Sequence, residues 1–167
     1  MQLPDAEQLV NQLIAQLRPL AGPGTGLVGI RSGGAWLAER MHSALGLTTP
    51  LGTLDISFYR DDFSRIGLHP AVEPSNIPFE VDGCSIILVD DVLYTGRTVR
   101  AAMNELFDYG RPASIHLAVL VDRGGRELPI AAQSVGARLA LLPEQNIQLN
   151  QDSSGRFSLS LHRVEEN

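Results

Sequence analysis

The chain has 167 residues, 44% apolar and 5% aromatic, with 13 basic residues against 19 acidic ones and a net charge of -6; this predicts a single α/β domain over residues 1–167 with a full hydrophobic core. All 13 basic residues are arginine, which excludes Schiff-base chemistry and Walker-type phosphate binding and leaves arginine, backbone N–H groups or a metal to hold any phosphate. The acidic balance argues against an unspecific nucleic-acid binder, and no apolar run approaches the roughly 18 to 20 residues that cross a bilayer, so with no signal-like start in Met1-Gln2-Leu3-Pro4-Asp5 a cytoplasmic protein without a membrane partner is expected.

In chain order, Leu9, Val10, Leu13, Ile14 and Leu17 recur at helical spacing behind Pro4, and Pro19 with Gly22-Pro23-Gly24 ends the segment. Gly26-Leu27-Val28-Gly29-Ile30 reads as a short buried strand, Arg31-Ser32-Gly33-Gly34 as a tight loop, residues 35–45 as a second helix and Gly46 as its C-cap. Leu54-Asp55-Ile56-Ser57-Phe58-Tyr59 alternates like a strand. Residues 60–78 are polar, contain Pro70, Pro74 and Pro78 and keep no period, which predicts a long mobile loop of the kind used as a lid. Ser85-Ile86-Ile87-Leu88-Val89 is an apolar run suited to a parallel sheet. Residues 98–109 read as a helix ended by Gly110 and Pro112, and residues 115–121 as the next buried strand. Beyond Asp122-Arg123-Gly124-Gly125-Arg126 the pattern weakens, with strands expected at 138–142 and 157–163.

Strand, helix and strand in this rhythm make a right-handed parallel βαβ unit, and open sheets of this kind bind ligands at the carboxyl ends of their strands. The two phosphate-sized loops are therefore expected on one side. Cys84 stands alone, which rules out an internal disulfide and a C-x-x-C pair, and it reads as a small buried residue at a strand start. His42, His69, His116 and His162 are scattered, with no pair at the spacing that places two ligands on one helical face.

The chemistry concentrates in residues 90–98. Two adjacent carboxylates, Asp90 and Asp91, open the loop that follows a buried strand, and Thr95-Gly96-Arg97-Thr98 permits a tight turn with converging backbone N–H groups at a helix start. Such a turn is an anion nest reinforced by the helix dipole. Carboxylates two or three residues away are acceptors suited to the hydroxyls of a sugar bearing that phosphate. The combination predicts a ribose 5-phosphate cradle. Aspartate pairs also occur in phosphoacceptor receiver domains, but there the pair lies near the N-terminus and a lysine follows, whereas here it is central and lysine is absent.

The run Ile86-Ile87-Leu88-Val89-Asp90-Asp91-Val92-Leu93-Tyr94-Thr95-Gly96-Arg97-Thr98 closely resembles the phosphoribosyl-pyrophosphate signature of type I phosphoribosyltransferases. Asp55-Ile56-Ser57-Phe58-Tyr59-Arg60-Asp61-Asp62, Gly110-Arg111-Pro112 and Leu120-Val121-Asp122-Arg123-Gly124-Gly125-Arg126-Glu127-Leu128-Pro129 are similar to the bifunctional pyrimidine operon regulators that are also uracil phosphoribosyltransferases. The resemblance implies an α/β fold with a central, mostly parallel sheet flanked by helices, a long mobile loop and a small hood. It implies the reaction of uracil with 5-phosphoribosyl-1-pyrophosphate (PRPP) to give UMP and pyrophosphate, with Mg²⁺ as cofactor, in a homo-oligomer of two or more chains.

On that resemblance Asp90 and Asp91 hold the ribose hydroxyls and, with pyrophosphate and ribose oxygens, the Mg²⁺. Val89, Val92, Leu93, Tyr94, Thr95, Gly96, Arg97 and Thr98 contribute to PRPP or UMP binding. Arg31, Ser32 and Gly33 form the pyrophosphate loop, Arg60 covers the leaving group, Arg123 is a further ligand residue, and Val135 and Gly136 present backbone to the base. Pyrimidine-operon leader RNA is a further partner in the family, bound through a basic face. The sequence departs from the family pattern at Gly33, where arginine is frequent, at Gly125, where histidine is common, and at Ala137, where lysine is common. The signature loop is shared with purine and orotate phosphoribosyltransferases, so the choice of uracil rests on the wider resemblance.

Overall fold

The computed structural model describes residues 1–56 and 75–164. Helix α1, Ala6–Leu17, begins where Asp5 accepts a hydrogen bond from the Gln8 N–H at 3.2 Å, an N-cap that satisfies one otherwise orphaned donor. Its Leu9, Val10, Leu13, Ile14 and Leu17 are all buried, as their spacing requires. A 3-10 turn, Arg18–Leu20, takes up Pro19. Strand β1 is Gly26–Ile30 and helix α2 is Gly33–Leu45, two residues longer at its start than the sequence pattern suggests. It closes on Gly46 in the left-handed conformation (φ 62°), the expected C-cap.

Strand β2 covers only Gly52–Leu54; the alternation expected through Tyr59 and most of the loop 60–78, Arg60 included, lie outside the described residues. The two described ends of that segment meet in an antiparallel bridge between Thr53 and Asn76, with both N–H···O bonds at 2.8 Å. Strand β3 is Ser85–Leu93, helix α3 is Arg97–Tyr109, and strand β4 is Ser114–Asp122. Strand β5 is Ser134–Arg138, not 138–142. Pairing with β4 ends at Arg138 opposite Asp122, and a last bond from the Leu139 N–H to the Asp122 carbonyl turns the chain away. Strands β6, Gln145–Gln151, and β7, Phe157–Arg163, form a separate antiparallel hairpin.

The five-stranded sheet is parallel throughout, in the order β2-β1-β3-β4-β5. One face packs α1, α2 and the inner side of the hairpin through Leu13, Leu17, Leu37, Met41, Ile87, Val89, Ile147 and Phe157. The other packs α3 through Val99, Ala102 and Leu106 against Ile86, Leu88 and Val119. Each fully buried aliphatic side chain contributes about 1.5–3 kcal/mol, so these clusters hold the carboxyl edge of the sheet rigid. After β1 the chain runs outward to β2, and after β3 it runs the other way to β4 and β5. The order reverses between β1 and β3, and such a switch point opens a crevice at the strands' carboxyl ends.

Helices α1 and α2 are tied to the hairpin by polar contacts. Arg40 donates to Glu7 at 2.7 Å and to the Gly155 carbonyl at 2.7 Å, its guanidinium stands 4.6 Å from the Phe157 ring centroid, and Glu7 accepts the Phe157 N–H at 2.9 Å. The Arg40 hydrogen bond outweighs burial and holds the Glu7 carboxyl below its ordinary value. No helix among the described residues is long and apolar enough to cross a membrane.

Candidate functional site

A cleft of about 460 Å³ opens at the carboxyl end of β3, lined by Asp90 to Gly96, Thr98, Val99, Arg123, Asn146, Ile147 and Val164. The aspartates lie inside β3 rather than in the loop after it, because pairing with β4 continues to Leu93 opposite Asp122. The loop itself shrinks to three residues, 94–96, before α3 begins.

The pleat of a strand sends neighbouring side chains to opposite faces. Asp90 is 4% exposed and Asp91 half-buried, and Asp91 turns towards the start of α2 while both line the cleft. There the Asp91 carboxylate lies against Gly33, so close that a β-carbon on residue 33 would collide with it. A β-carbon at Gly34 would sit 2.5 Å from the Val89 carbonyl. The glycine doublet thus lets the start of α2 lie directly on the end of β3. Both carboxylates are oriented by the chain that follows them: Asp90 accepts the Asp91 N–H and Asp91 accepts the Val92 N–H, each at 2.8 Å.

Gly96 adopts φ +94° and precedes α3 with no side-chain cap on the helix. A β-carbon there would fall 3.0 Å from Ile130 Cγ1, so both backbone conformation and space call for glycine. An uncapped helix start leaves first-turn N–H groups for an anion, and the macrodipole favours negative charge there. The Arg97 side chain turns away and pairs with Glu127 at 3.1 Å on the surface, outside the cleft lining; the Arg97 N–H is taken by the Thr95 hydroxyl at 3.2 Å.

Arg123 is 5% exposed, lies 3.8 Å from the Tyr94 ring centroid and donates to the Leu142 carbonyl at 3.1 Å. It fixes the Tyr94 ring at the cleft wall. Behind it, Arg126 donates to Asp122 at 2.6 Å. Burial works to raise the Asp122 carboxyl, but the Arg126 hydrogen bond, the Gly124 amide and the positive charges of Arg126 and Arg138 together hold it below its ordinary range.

Arg31 and Ser32 follow β1 across the switch point, joined by a cis peptide bond. The Arg31 N–H donates to the Leu54 carbonyl at 2.9 Å and its guanidinium reaches the Thr53 hydroxyl at 3.5 Å, so this arginine leans towards β2. Val89 is fully buried in the core and serves as backing for Gly34 rather than as cleft wall. Val135 and Gly136 are set apart from the cleft. The Val135 N–H and carbonyl are both engaged by the Gln16 side chain, at 3.2 and 2.9 Å, and Gly136 is pressed between the Leu120 carbonyl and Leu9 of α1. Both lie short of the carboxyl end of β5, so their backbone belongs to the α1 interface.

The cleft residues that sequence reasoning missed are Asn146, Ile147 and Val164, from the hairpin, and Val99. The apolar Ile147 and Leu149 alternating with Asn146, Gln148 and Asn150 is a period-2 strand signal, but the amide-rich composition hides it. Among the described residues no group of three or more histidine, cysteine, aspartate or glutamate side chains is arranged to hold a metal. Two carboxylates at the cleft edge do fit Mg²⁺, which is commonly bound by one or two carboxylates plus substrate oxygens.

Residues 2–141 match the Phosphoribosyl transferase domain family. A protein of Pseudomonas savastanoi pv. phaseolicola named "Bifunctional protein PyrR" is 52% identical over 156 residues, covering 90% of this chain and 91% of that protein. A protein of the same name from Nitrosococcus oceani is 57% identical over 135 residues, covering 80% of this chain and 76% of that one. Among solved structures, a hypoxanthine-guanine phosphoribosyltransferase from Bacillus anthracis superposes with a TM-score of 0.67 at 19% identity, covering 88% of this chain and 86% of that one, a likeness of fold alone.

Proposed function

We infer the reaction from one premise: the chain belongs to the phosphoribosyl transferase family and, within it, to the bifunctional PyrR proteins. It transfers a phosphoribosyl group from PRPP to uracil, giving UMP and pyrophosphate. The observation that carries this reading is the aspartate pair near the carboxyl end of β3 at the switch point, with a three-residue turn, 94–96, leading from that strand to an uncapped helix start. One strand–turn–helix element offers both hydroxyl acceptors and an anion nest.

In this reading the backbone N–H groups of Thr95, Gly96 and Thr98 hold the 5′-phosphate, and Asp90 and Asp91 accept from the ribose 2′- and 3′-hydroxyls. The N1 nitrogen of uracil bonds to carbon 1 of the ribose as the bond from that carbon to pyrophosphate breaks, and the N1 proton is released. Carbon 1 carries cationic character at the crossing point, and two fixed carboxylates nearby stabilise it. The loop 31–34, against which Asp91 rests at Gly33, is assigned to the departing pyrophosphate through Arg31, Ser32 and backbone N–H groups. Arg60 belongs to the same proposal as a cover for the leaving group. Mg²⁺, when bound through Asp90, Asp91 and the substrate oxygens, screens the pyrophosphate charge and eases its departure.

The base is assigned to the hairpin end of the cleft, not to Val135 and Gly136. Ile147, Val164 and the Tyr94 ring offer apolar surface for a planar ring. Asn146 offers an amide whose donor and acceptor match the N–H and C=O edge of uracil. Incubation of the protein with uracil, PRPP and Mg²⁺ is expected to yield UMP, and absence of UMP formation would sink the assignment. The relatives' name says that they are bifunctional, and the resemblance to pyrimidine operon regulators makes the proposed second activity UMP-dependent binding of pyrimidine-operon leader RNA by a homo-oligomer. It predicts salt-sensitive RNA retention that rises with UMP; no retention at low salt would count decisively against it.

A further inference from the structure

We propose that Arg126 is a positioning residue for the phosphate turn, acting from behind the cleft without touching the substrate; this rests on the reading of the cleft as a ribose 5-phosphate site. Arg126 is absent from the cleft lining. Its three side-chain nitrogens are all committed: Nη1 donates to the Tyr94 carbonyl at 2.7 Å, Nε to the Ile130 carbonyl at 2.8 Å, and Nη2 to Asp122 at 2.6 Å. The residues after it continue the same work. The Glu127 and Leu128 N–H groups both donate to the Thr95 carbonyl, at 2.9 and 3.1 Å, and Ile130 packs where a side chain on Gly96 would stand.

Peptide planarity turns these rear contacts into front-side geometry. In a trans peptide the C=O of one residue and the N–H of the next point in opposite directions, and both peptides here are trans. Holding the Tyr94 carbonyl to the rear therefore aims the Thr95 N–H at the cleft, and holding the Thr95 carbonyl aims the Gly96 N–H there too. These are the groups a phosphate monoester needs. The turn owes its shape before ligand arrives to a strut spanning the end of β4 and the segment up to Ile130, which is preorganisation in the sense of donors that need not reorient on binding. Only a planar fork of fixed geometry reaches all three acceptors; a lysine ammonium on a flexible stem does not.

The test measures KM for PRPP and for uracil in the full chain, with amide hydrogen exchange at residues 95 and 96 in the ligand-free protein, for the wild type, Arg126→Lys and Arg126→Gln. The expected result is a PRPP KM raised about tenfold in both variants. Uracil KM should change less than twofold, and exchange at 95 and 96 should be faster in the variants than in the wild type. Asp122→Asn, which keeps the shape and weakens one strut bond, is expected to shift PRPP KM in the same direction by about threefold and keeps the proposal testable if the Arg126 variants fold poorly. Unchanged PRPP KM with unchanged exchange, or equal increases for both substrates, overturns the role of Arg126. A wild type that shows no turnover with PRPP overturns the reaction instead, and the exchange data still decide the strut.

Discussion

The end of the cleft assigned to phosphate comes from one strand–helix turn, Asp90 to Thr98, whereas the end assigned to the base borders Tyr94 and gathers Arg123, Asn146, Ile147 and Val164 from three further stretches of chain. The first end works largely with backbone: a glycine at φ +94°, an uncapped helix start and two carboxylates steadied by the next N–H. The second works with side chains placed by tertiary packing of the hairpin on α1 and the sheet. In the proposed reading, the part of a substrate that all phosphoribosyl transfers share meets a local backbone element, and the part that distinguishes one base from another meets side chains set by tertiary packing.

Breaking the first end should have the largest effect. Gly96→Val places a β-branched residue at positive φ against Ile130, and UMP affinity measured by calorimetry is expected to fall by at least about a hundredfold, with far-UV circular dichroism retained; unchanged affinity would remove the phosphate turn from the site. Next, Asp91→Asn leaves the packing against Gly33 but deletes a negative charge beside carbon 1, and kcat is expected to drop roughly tenfold to a hundredfold with uracil KM nearly constant. At the second end, Asn146→Ala should raise uracil KM by about fivefold to tenfold and leave PRPP KM alone; steady-state kinetics that move both constants together would place the amide elsewhere.

The smallest effect is one of stability and sharpens the claim that the hairpin is held independently of the phosphate turn. Glu7→Gln weakens the bridge from α1 to Arg40 and Phe157, costing about 1 kcal/mol at neutral pH after allowance for partial exposure. The native carboxyl is held below the ordinary glutamate value of 4.5, so this stabilisation is present above that pH and is lost as pH falls through the lower native value. The gap between wild type and variant in urea denaturation should therefore close below about pH 4.5. A gap that persists in acid would mean that the charge is not what ties the hairpin down.

How much of this was legible in the sequence follows the same division. The helix 6–17, the strand 26–30 and the run 85–98 carry strong local signals, and Asp90, Asp91 and Gly96 stand where the turn needs them. The continuous burial of β3 does not say where pairing stops, so the aspartates were expected in a loop rather than in the strand. Leu139, Leu141 and Leu142 suggested a strand at 138–142, but pairing falls on the less apolar Ser134–Arg138, and Leu139 and Leu141 serve as flanking cover for the core. That shift moved Val135 and Gly136 into the α1 interface. Asn146 carried no local mark, because what makes it a cleft residue is the folding of a hairpin across the end of β3. Arg126 was visible as a residue of a motif, while its three acceptors lie at 94, 122 and 130 and only the fold brings them together.

The most direct measurement is a crystal structure of the protein with UMP. It should show the 5′-phosphate on the N–H groups of Thr95, Gly96 and Thr98, the ribose hydroxyls on Asp90 and Asp91, and the uracil ring between Tyr94 and Ile147 with its amide edge at Asn146. A nucleotide bound with its base at Val135 and Gly136, or with its phosphate away from the start of α3, would contradict the assignment of the two ends.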